Sequence, residues 1–251
     1  MNLSVAIITH NEERIIRKTL ESIHDIADEV VIVDSYSTDK TEEVCKQFSK
    51  VKFVRRKFDG FGTQKNYTIN LCSGKWILFI DADEIIDNRL QQSISEIIKD
   101  DHPDFKVYNL ALHNVVLGKI IKHGGWGKIF RERLFMNGVA KYSNDIVHEF
   151  LITNEEKGVL KGKVFHYTYK DIKHHIGKTN DYTTLMAKKM FDNGKKSSFL
   201  KIYLKPKFDF FKTFILRLGF LDGFVGYYIA KTGAFYTFLK YTKLYELSKN
   251  K

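Results

Sequence analysis

The sequence predicts an α/β fold built around a mostly parallel β-sheet. Four short apolar runs lie in the first 80 residues, and stretches with helical periodicity separate them. Such runs are typical of strands that helices cover on both faces. A carboxylate ends two of these segments, at Asp34 and Asp81, which is where open α/β sheets bind their ligands.

The first hundred residues alternate predicted strands with predicted helices. The strands cover residues 3–8, 29–34, 51–54 and 76–80. The first helix begins after an N-cap at Asn11 and runs through Ile23. Three further helices cover residues 37–48, 63–72 and 88–99. This order implies parallel strands joined by right-handed crossovers. No Gly-x-Gly-x-x-Gly follows the first strand, which argues against a dinucleotide-binding Rossmann domain.

The pattern changes after residue 100. Shorter, partly antiparallel strands are predicted over residues 105–112, 118–122, 128–134 and 162–169, and the chain is helical from Asp171 onward. We therefore expect one main domain over residues 1–170, with a ligand-binding half at 1–100 and a second half at 101–170. Residues 171–251 are expected to form a basic, aromatic-rich helical extension.

Three carboxylates crowd the end of the fourth strand, in Asp81-Ala82-Asp83-Glu84. On an extended chain Asp81 and Asp83 point the same way because they are two residues apart. Carboxylates so close repel each other unless a cation joins them, and hard oxygen ligands suit Mg²⁺ or Mn²⁺ that bridges to a substrate phosphate. Taken alone, a solvated strand end that caps the next helix is the simpler interpretation.

Four motifs in the first hundred residues resemble those of the family 2 glycosyltransferases, which have the GT-A fold. They are Ser-Val-Ala-Ile-Ile-Thr-His-Asn-Glu at 4–12, Val-Asp-Ser-Tyr-Ser-Thr-Asp-Lys-Thr at 33–41, Gln-Lys-Asn at 64–66 and Asp-Ala-Asp at 81–83. The chain is also similar to a bacterial subgroup of this family that is linked to transfer of lipopolysaccharide core sugars, in segments 122–126, 147–149 and 219–241. The resemblance implies a nucleotide-diphospho-sugar donor, of the UDP-glucose kind, and a cell-envelope glycan or glycolipid acceptor.

The resemblance also implies how the nucleoside is held. Thr9, Asn11 and Glu12 follow the first strand and Asp34 ends the second, so neighbouring parallel strands bring them to one edge. In the family this edge holds the uracil and the ribose. Helix capping by Asn11 is the alternative, and both roles can hold at once.

The diphosphate and the metal would lie next to this edge. Lys65 would face the diphosphate as a point charge, with a solvated surface lysine as the alternative. Departure of the nucleoside diphosphate builds negative charge, which a divalent ion offsets as a Lewis acid. Asp83 is the expected direct ligand of Mg²⁺ or Mn²⁺, and Asp81 would contact the ribose or a metal-bound water.

Inversion at the anomeric carbon needs a base that takes the proton of the acceptor hydroxyl. The Glu-Asp pair that serves many family 2 enzymes is absent, which leaves Glu149 and Asp145. Glu149 is preferred because its Val-His-Glu segment matches the subgroup. His123, Trp126 and His148 are expected on the acceptor side, although a packed histidine is the alternative for His148. The Gln-x-x-Arg-Trp motif of processive synthases is absent, which predicts addition of one sugar at a time.

The net charge of +11 is concentrated in the last third of the chain. Residues 161–251 carry 19 Lys and Arg against 6 Asp and Glu, a net charge of +13. Basic residues interleaved with aromatics over 205–243 are typical of helices that lie in a membrane interface. The alternatives are helices that cover the main domain or form a homodimer contact.

Composition predicts the compartment. Two lone cysteines, Cys45 and Cys72, fit a reducing compartment, and the N-terminus lacks the pattern of a signal peptide. No stretch has the roughly 18 apolar residues of a spanning helix. We therefore expect a cytoplasmic protein peripherally bound to the inner face of the cytoplasmic membrane, in contact with anionic lipids.

Two other functional classes compete with a glycosyltransferase. One is a nucleic-acid or anionic-lipid binding protein that uses the basic tail, with the sheet as a scaffold. Acids at neighbouring strand ends argue against phosphate binding without a cation, and no nucleic-acid-binding motif is present, so no nucleic-acid partner is expected. The other is a nucleotidyltransferase, which would share the metal-binding acids and break a different bond.

Overall fold

The computed structural model describes residues 1–143, 149–169 and 171–249, and its contacts divide the chain into two compact units. Unit 1 consists of Met1–Leu112 and Ile129–His166. Unit 2 consists of His113–Lys128 and Tyr167–Lys251, so residues 113–128 group with the C-terminal helices. The domain boundary expected at residue 170 stays a prediction.

The strands and helices follow the predicted alternation. In chain order the strands are β1 (Leu3–Thr9), β2 (Glu29–Asp34), β3 (Val51–Arg55), β4 (Trp76–Phe79), β5 (Glu84–Ile86), β6 (Val107–Val116), β7 (Lys119–Ile120), β8 (Ile129–Met136), β9 (Lys141–Tyr142), β10 (Leu151–Ile152), β11 (Lys157–Val159) and β12 (Val164–His166). The helices are α1 (Ile16–Ile23), α2 (Thr41–Cys45), α3 (Phe61–Asn70), α4 (Asn88–Lys99), α5 (Ile172–Asp192), α6 (Phe199–Phe211) and α7 (Gly223–Lys249). The first four strands lie within one residue of their predicted bounds.

The main sheet has the strand order β3-β2-β1-β4-β8-β6-β12-β5 among the described residues. β3, β2, β1 and β4 are parallel, whereas β8 pairs antiparallel with both β4 and β6. The side chains of β4 are all buried, which explains its unbroken apolar run. Thr9 pairs with Asp34 in register, so the carboxyl ends of β1 and β2 meet at one edge.

Two expectations about the loops at this edge are wrong. Asn11 does not cap α1, which begins at Ile16. Instead Asn11 has a φ of 55°, and its Oδ1 accepts a hydrogen bond from the backbone N–H of Thr38 at 2.8 Å. The helix predicted over 37–48 covers only Thr41–Cys45 in the structure. It begins at Thr41 because Asp39 Oδ1 accepts hydrogen bonds from both the backbone N–H and the hydroxyl of that residue.

The segment after β4 is also not extended as expected. β4 ends at Phe79, and a turn follows in which the N–H of Glu84 bonds to the carbonyl of Asp81 at 3.0 Å. The hydroxyl of Thr19 holds this turn through the carbonyl of Ala82 at 2.8 Å. Asp81 and Asp83 therefore lie on a turn rather than on one face of a strand, and they contact different partners.

Unit 2 is mainly helical. Asp171 caps α5 by accepting a hydrogen bond from the N–H of His174, and Ser198 caps α6 in the same way through Lys201. α6 continues into a π-helical segment, Lys212–Leu216, and a 3₁₀ turn, Gly219–Asp222, before α7. α7 packs against both α5 and α6.

Within the described parts of the chain, no individual helix has the length and apolar composition of a membrane span. The two helical segments Phe199–Leu216 and Gly219–Lys249 meet those criteria only when they are counted together, and the pair is bent by 71°.

Candidate active site

A cluster of buried and partly buried charges lies at the end of β4. Lys65 Nζ on α3 is 2.7 Å from Glu149 Oε1 and 3.6 Å from Asp81 Oδ1. Arg133 on β8 donates from one Nη to Asp81 Oδ2 at 2.6 Å and to Glu84 Oε1 at 2.8 Å. Two cations and three carboxylates thus form a continuous network, which we call the ionic cluster.

Packing fixes the position of Lys65 in the ionic cluster. Its Nζ lies 4.9 Å from the ring centroids of both Phe79 and Tyr142, so the ammonium ion is sandwiched near two aromatic faces. The neighbouring Asn66 bonds the backbone of Tyr142 twice, donating to its carbonyl at 2.9 Å and accepting from its N–H at 2.8 Å. The Gln-Lys-Asn motif therefore ties α3 to β9 and places the lysine between them.

Charge pairing determines the protonation of the ionic cluster. Burial alone would lower the pKa of Lys65, but the carboxylates of Asp81 and Glu149 keep it above its usual value. Burial opposes ionisation of Asp81, yet Arg133 and Lys65 hold its pKa well below the usual range. Burial raises the pKa of Glu84, and the nearby charge of Asp81 adds to this rise.

Asp83 lies beside this cluster and contacts the last strand of unit 1. Its Oδ2 is 3.4 Å from Nε2 of His166 on β12. Burial would lower the pKa of His166, but the hydrogen bond and the charge of Asp83, with Glu84 and Asp81 behind it, raise it to about 9. A cation therefore already stands next to the carboxylate that the sequence predicted as the metal ligand.

The β1 and β2 edge gathers the residues predicted to hold the nucleoside. Asp34 is 1% exposed, and its two oxygens accept hydrogen bonds from the N–H and the hydroxyl of Ser37 at 2.8 and 2.5 Å. The N–H of Glu12 donates to the hydroxyl of Thr41. The hydroxyl of Thr9 is buried and has no hydrogen-bond partner among the described residues. Asn11 links the two loops through Thr38.

Two of the expected acceptor-side residues lie in a loop of unit 2. Asp222 accepts the backbone N–H of Lys122 at 3.1 Å and of His123 at 2.8 Å, and its other oxygen is 3.3 Å from Nδ1 of His123. Trp126 ends the same loop, and its carbonyl accepts a hydrogen bond from the side-chain amide of Asn114 at 2.9 Å. The segment His-Gly-Gly-Trp is thus held by an aspartate a hundred residues later.

Some expected positions cannot be compared with the structure. Asp145 and His148 lie outside the described residues. Glu149 is described, and its side chain is 15% exposed. Lys65 is 5% exposed, so the alternative of a solvated surface lysine is wrong.

Sequence reasoning missed Arg133, His166 and Asp222. The available signals were weak: Arg133 lies directly before the buried Leu134 in the strand predicted over 128–134, and His166 lies within the last predicted strand. The crowded carboxylates after β4 did require a nearby cation, but a residue fifty positions later in the chain supplies it.

Comparisons with known proteins agree with this architecture. The family model described as glycosyl transferase family 2 matches residues 4–166. An uncharacterised glycosyltransferase of Rickettsia bellii is 32% identical over 98% of this chain and 87% of its own length. The lipopolysaccharide core biosynthesis glycosyltransferase LpsC of Rhizobium meliloti is 30% identical over 97% of this chain and 92% of its own length.

Solved structures show the same fold at low sequence identity. Residues 1–349 of TarS from S. aureus, crystallised with UDP-GlcNAc, align with a TM-score of 0.52 and 16% identity. The alignment covers all of this chain and 92% of that one, whereas this chain spans 46% of a longer TarS chain. The fold is therefore GT-A, as expected, with a helical C-terminal region. From the family match and from relatives that are at least 30% identical over nearly all of this chain, the chain belongs to the family 2 glycosyltransferases.

Proposed function

We propose that this chain is an inverting glycosyltransferase that moves one sugar from a nucleotide-diphospho-sugar of the UDP-glucose kind to a cell-envelope glycan. The observation that carries the proposal is the ionic cluster at the end of β4, which joins Asp81 to Glu149 through Lys65. The fold likeness to a UDP-GlcNAc-bound structure supports this class of donor.

In this proposal the β1 and β2 edge holds the nucleoside. Asp34 and Thr9 lie at paired strand ends, with Asn11 and Glu12 in the loop above them. Lys65 and Arg133 compensate the charge of Asp81 and hold that carboxylate in one position. Asp81 would then contact the ribose or a metal-bound water.

The residues at Asp83 fit a divalent ion that has few protein ligands. The described residues contain no group of three His, Cys, Asp or Glu side chains arranged for a metal. Mg²⁺ binds through one or two carboxylates and completes its shell with water and substrate phosphate, so the Asp83 carboxylate can serve as the protein ligand once His166, 3.4 Å away, has given up its proton or moved aside. When bound, the ion would offset negative charge on the leaving diphosphate.

Glu149 is the proposed base. The oxygen of the acceptor hydroxyl forms a bond to the anomeric carbon while the bond from that carbon to the diphosphate oxygen breaks. The hydroxyl proton passes to the Glu149 carboxylate, and the nucleoside diphosphate leaves. Lys65 positions Glu149 through the 2.7 Å ion pair. Asp145 stays the second candidate.

The acceptor is proposed from the relatives and from charge. LpsC is named for lipopolysaccharide core biosynthesis, so we assign a lipid-linked glycan at a membrane surface as the acceptor. A net charge of +13 over residues 161–251 suits such a surface. His123, Trp126 and His148 are assigned to the acceptor side by resemblance alone, and a homodimer contact stays the alternative use of the C-terminal helices.

A donor panel tests the proposal. Thermal shifts with UDP-, GDP- and CMP-sugars, with Mn²⁺ or with EDTA, should identify one nucleotide class that stabilises the protein more when metal is present. Product NMR with that donor and a core oligosaccharide should show an anomeric configuration opposite to that of the donor. Stabilisation by no nucleotide sugar, or a product with retained configuration, would overturn it, and a nucleotidylated product would support the nucleotidyltransferase alternative.

The metal role has its own test. Asp83→Asn keeps the shape and removes the charge of the proposed ligand. Calorimetry with UDP should show that Mn²⁺ strengthens binding to the unmodified protein and has much less effect on the variant. Asp59→Asn is the control, because that carboxylate is exposed and pairs with Arg56. Equal affinity in Mn²⁺ and EDTA would contradict the assignment.

A further inference from the structure

One face of α6 carries a continuous row of exposed apolar side chains. Leu200, Leu204, Phe208, Phe211 and Ile215 follow one another at intervals of four, four, three and four residues. This spacing places them on one side of a helix, and the row continues from α6 into the π-helical segment. Each is between 42% and 63% exposed. We call these five residues the α6 stripe.

The opposite side of α6 is occupied by α7. Phe210 lies 5.9 Å from the ring of Tyr227, and Lys231 of α7 lies 4.9 Å from the ring of Phe210. The carboxylate of Asp209 accepts a hydrogen bond from the hydroxyl of Thr237 at 2.6 Å. The helix therefore already has a packed face, and the α6 stripe is a second apolar face turned to solvent.

Charge around the α6 stripe has one sign. Residues 199–217 contain five basic residues and a single acid, Asp209, whose carboxylate is bonded to α7. Lys201 and Lys205 each follow a stripe residue directly and are exposed, and Lys207 precedes Phe208 on the other flank. A helix with an apolar face flanked by lysines is the arrangement that binds an anionic lipid surface.

A shallow apolar groove of about 400 Å³ opens beside the stripe, between α6 and α7. Phe199, Tyr203 and Pro206 line one wall, and Ala234 and Phe235 line the other. The two charged residues at its edge are both basic, Lys207 and Lys231. The groove offers apolar surface next to positive charge, which is the chemistry of an acyl chain below an anionic head group.

We propose that the α6 stripe lies in the interface of an anionic bilayer, with its apolar side chains inserted between lipids and its flanking lysines at the head groups. The site deepens the proposed function, because it would hold a glycosyltransferase next to a lipid-linked acceptor. From Leu200 to Ile215 the row extends over roughly 22 Å of helix at 1.5 Å per residue. When the helix axis lies parallel to the membrane surface, all five side chains of the α6 stripe insert together.

Vesicle binding of matched variants tests the stripe. Leu204→Glu/Phe208→Glu introduces two charges into it, at positions about half exposed. Ile176→Glu/Leu185→Glu introduces the same charges at exposed apolar positions of α5 in the same unit. Binding to vesicles of phosphatidylethanolamine and phosphatidylglycerol should fall by roughly 100-fold in the stripe variant, since two inserted side chains are lost, and by less than about threefold in the control.

Depth of insertion gives a second measurement. Phe208→Trp should be quenched by lipids brominated on the acyl chain, whereas Leu185→Trp should not. Neutral phosphatidylcholine vesicles should bind weakly, and salt should weaken binding to the anionic ones. Lack of quenching at position 208, or equal loss of binding in both double variants, would overturn the proposal.

The competing occupant is a second copy of this chain. Sedimentation without vesicles should give the same molecular mass for the unmodified protein and the stripe variant. A dimer that the stripe variant converts to a monomer would overturn the lipid assignment. UDP binding, measured in parallel, should be unchanged in every variant, so failure of the membrane site and failure of the proposed enzymatic function are distinguishable.

Discussion

The ammonium group of Lys65 lies 2.7 Å from a carboxylate oxygen of Glu149, which belongs to a segment 84 positions later in the chain. The same lysine lies 3.6 Å from Asp81. One buried cation therefore connects the acid proposed as the base with the first aspartate of Asp-Ala-Asp. Lys65 therefore holds the proposed base in place without direct contact between the two carboxylates.

Replacing Glu149 by Gln should remove the base and keep its shape. We expect sugar transfer to fall by roughly 10²–10⁴-fold, because the amide cannot take the acceptor proton. UDP affinity should change by less than about threefold, since one interaction with Lys65 is weakened and none with the nucleoside is expected to be lost. Radiolabelled transfer and calorimetry measure the two quantities.

Glu155→Gln is the matched control, because Glu155 forms an exposed pair with Lys106 at 3.0 Å. It should keep full activity. If Glu149→Gln is active and Asp145→Asn is not, the base is Asp145. If both variants are active, the base lies elsewhere and the pair of Lys65 with Glu149 is structural.

Arg133 should be essential for stability because it neutralises the fully buried Glu84 and the partly buried Asp81. Arg133→Met leaves Glu84, which is fully buried, and Asp81 without their shared partner. We expect the free energy of unfolding to fall by roughly 3–5 kcal/mol, the cost of breaking a buried ion pair from one side. Denaturant unfolding followed by circular dichroism measures this.

Two further variants make the interpretation specific. Arg131→Met changes an exposed arginine on the same strand and should alter stability by less than about 0.5 kcal/mol. Adding Glu84→Gln to Arg133→Met should restore part of the loss, since it removes one unpaired charge. A double variant no more stable than Arg133→Met would contradict this electrostatic account.

His175 should make the protein sensitive to acid. Its Nδ1 is 2.7 Å from the hydroxyl of Tyr228, its ring stacks on Tyr169 at 3.7 Å, and burial with the nearby charges of His174 and Lys178 lowers its pKa to about 4. The unfolded chain binds this proton near pH 6.5, whereas the folded chain does not until about pH 4. Stability should therefore fall as the pH falls from about 6.5 to about 4.

His175→Phe keeps the stacking and removes the titration, so it should flatten the stability profile in that pH range. Urea unfolding at several pH values measures the slope. His102→Phe, at an exposed histidine, should leave the slope unchanged. An unaltered slope in His175→Phe would show that another group binds the proton.

Asp222 should order the loop that contains His123 and Trp126. Asp222→Asn weakens two hydrogen bonds from the backbone N–H groups of residues 122 and 123, and it removes the charge next to the His123 ring. We expect faster hydrogen exchange of these two amides, by roughly tenfold for each 1.4 kcal/mol of lost protection. Exchange measured by mass spectrometry checks this.

Asp209→Asn is the comparison, because Asp209 is the acid bonded to Thr237 between α6 and α7. It should leave the exchange of residues 122 and 123 unchanged. Equal exchange in the unmodified protein and in Asp222→Asn would mean that other contacts hold the loop.

The sequence alone determined the order of the first strands and helices and the edge of the sheet at which the candidate site residues lie. An apolar run such as residues 76–79 indicates a strand that is buried on both faces. Because this signal is local, the bounds of the strand were predicted within one residue. The acids at Asp34 and Asp81 marked the strand ends where the nucleotide sugar is proposed to bind. The family motifs then identified the enzyme class without any tertiary information.

Only the tertiary structure decided which charges meet. Arg133 reaches Asp81 because β8 pairs antiparallel with β4, and His166 reaches Asp83 because β12 pairs with β5. Asn11 bonds the Thr38 loop instead of capping α1 because β1 and β2 end side by side. Strand pairing brings together residues that are far apart in the chain, and local periodicity does not indicate which strands pair. The energy of each contact depends on both partners being buried together, so neither residue predicts it alone.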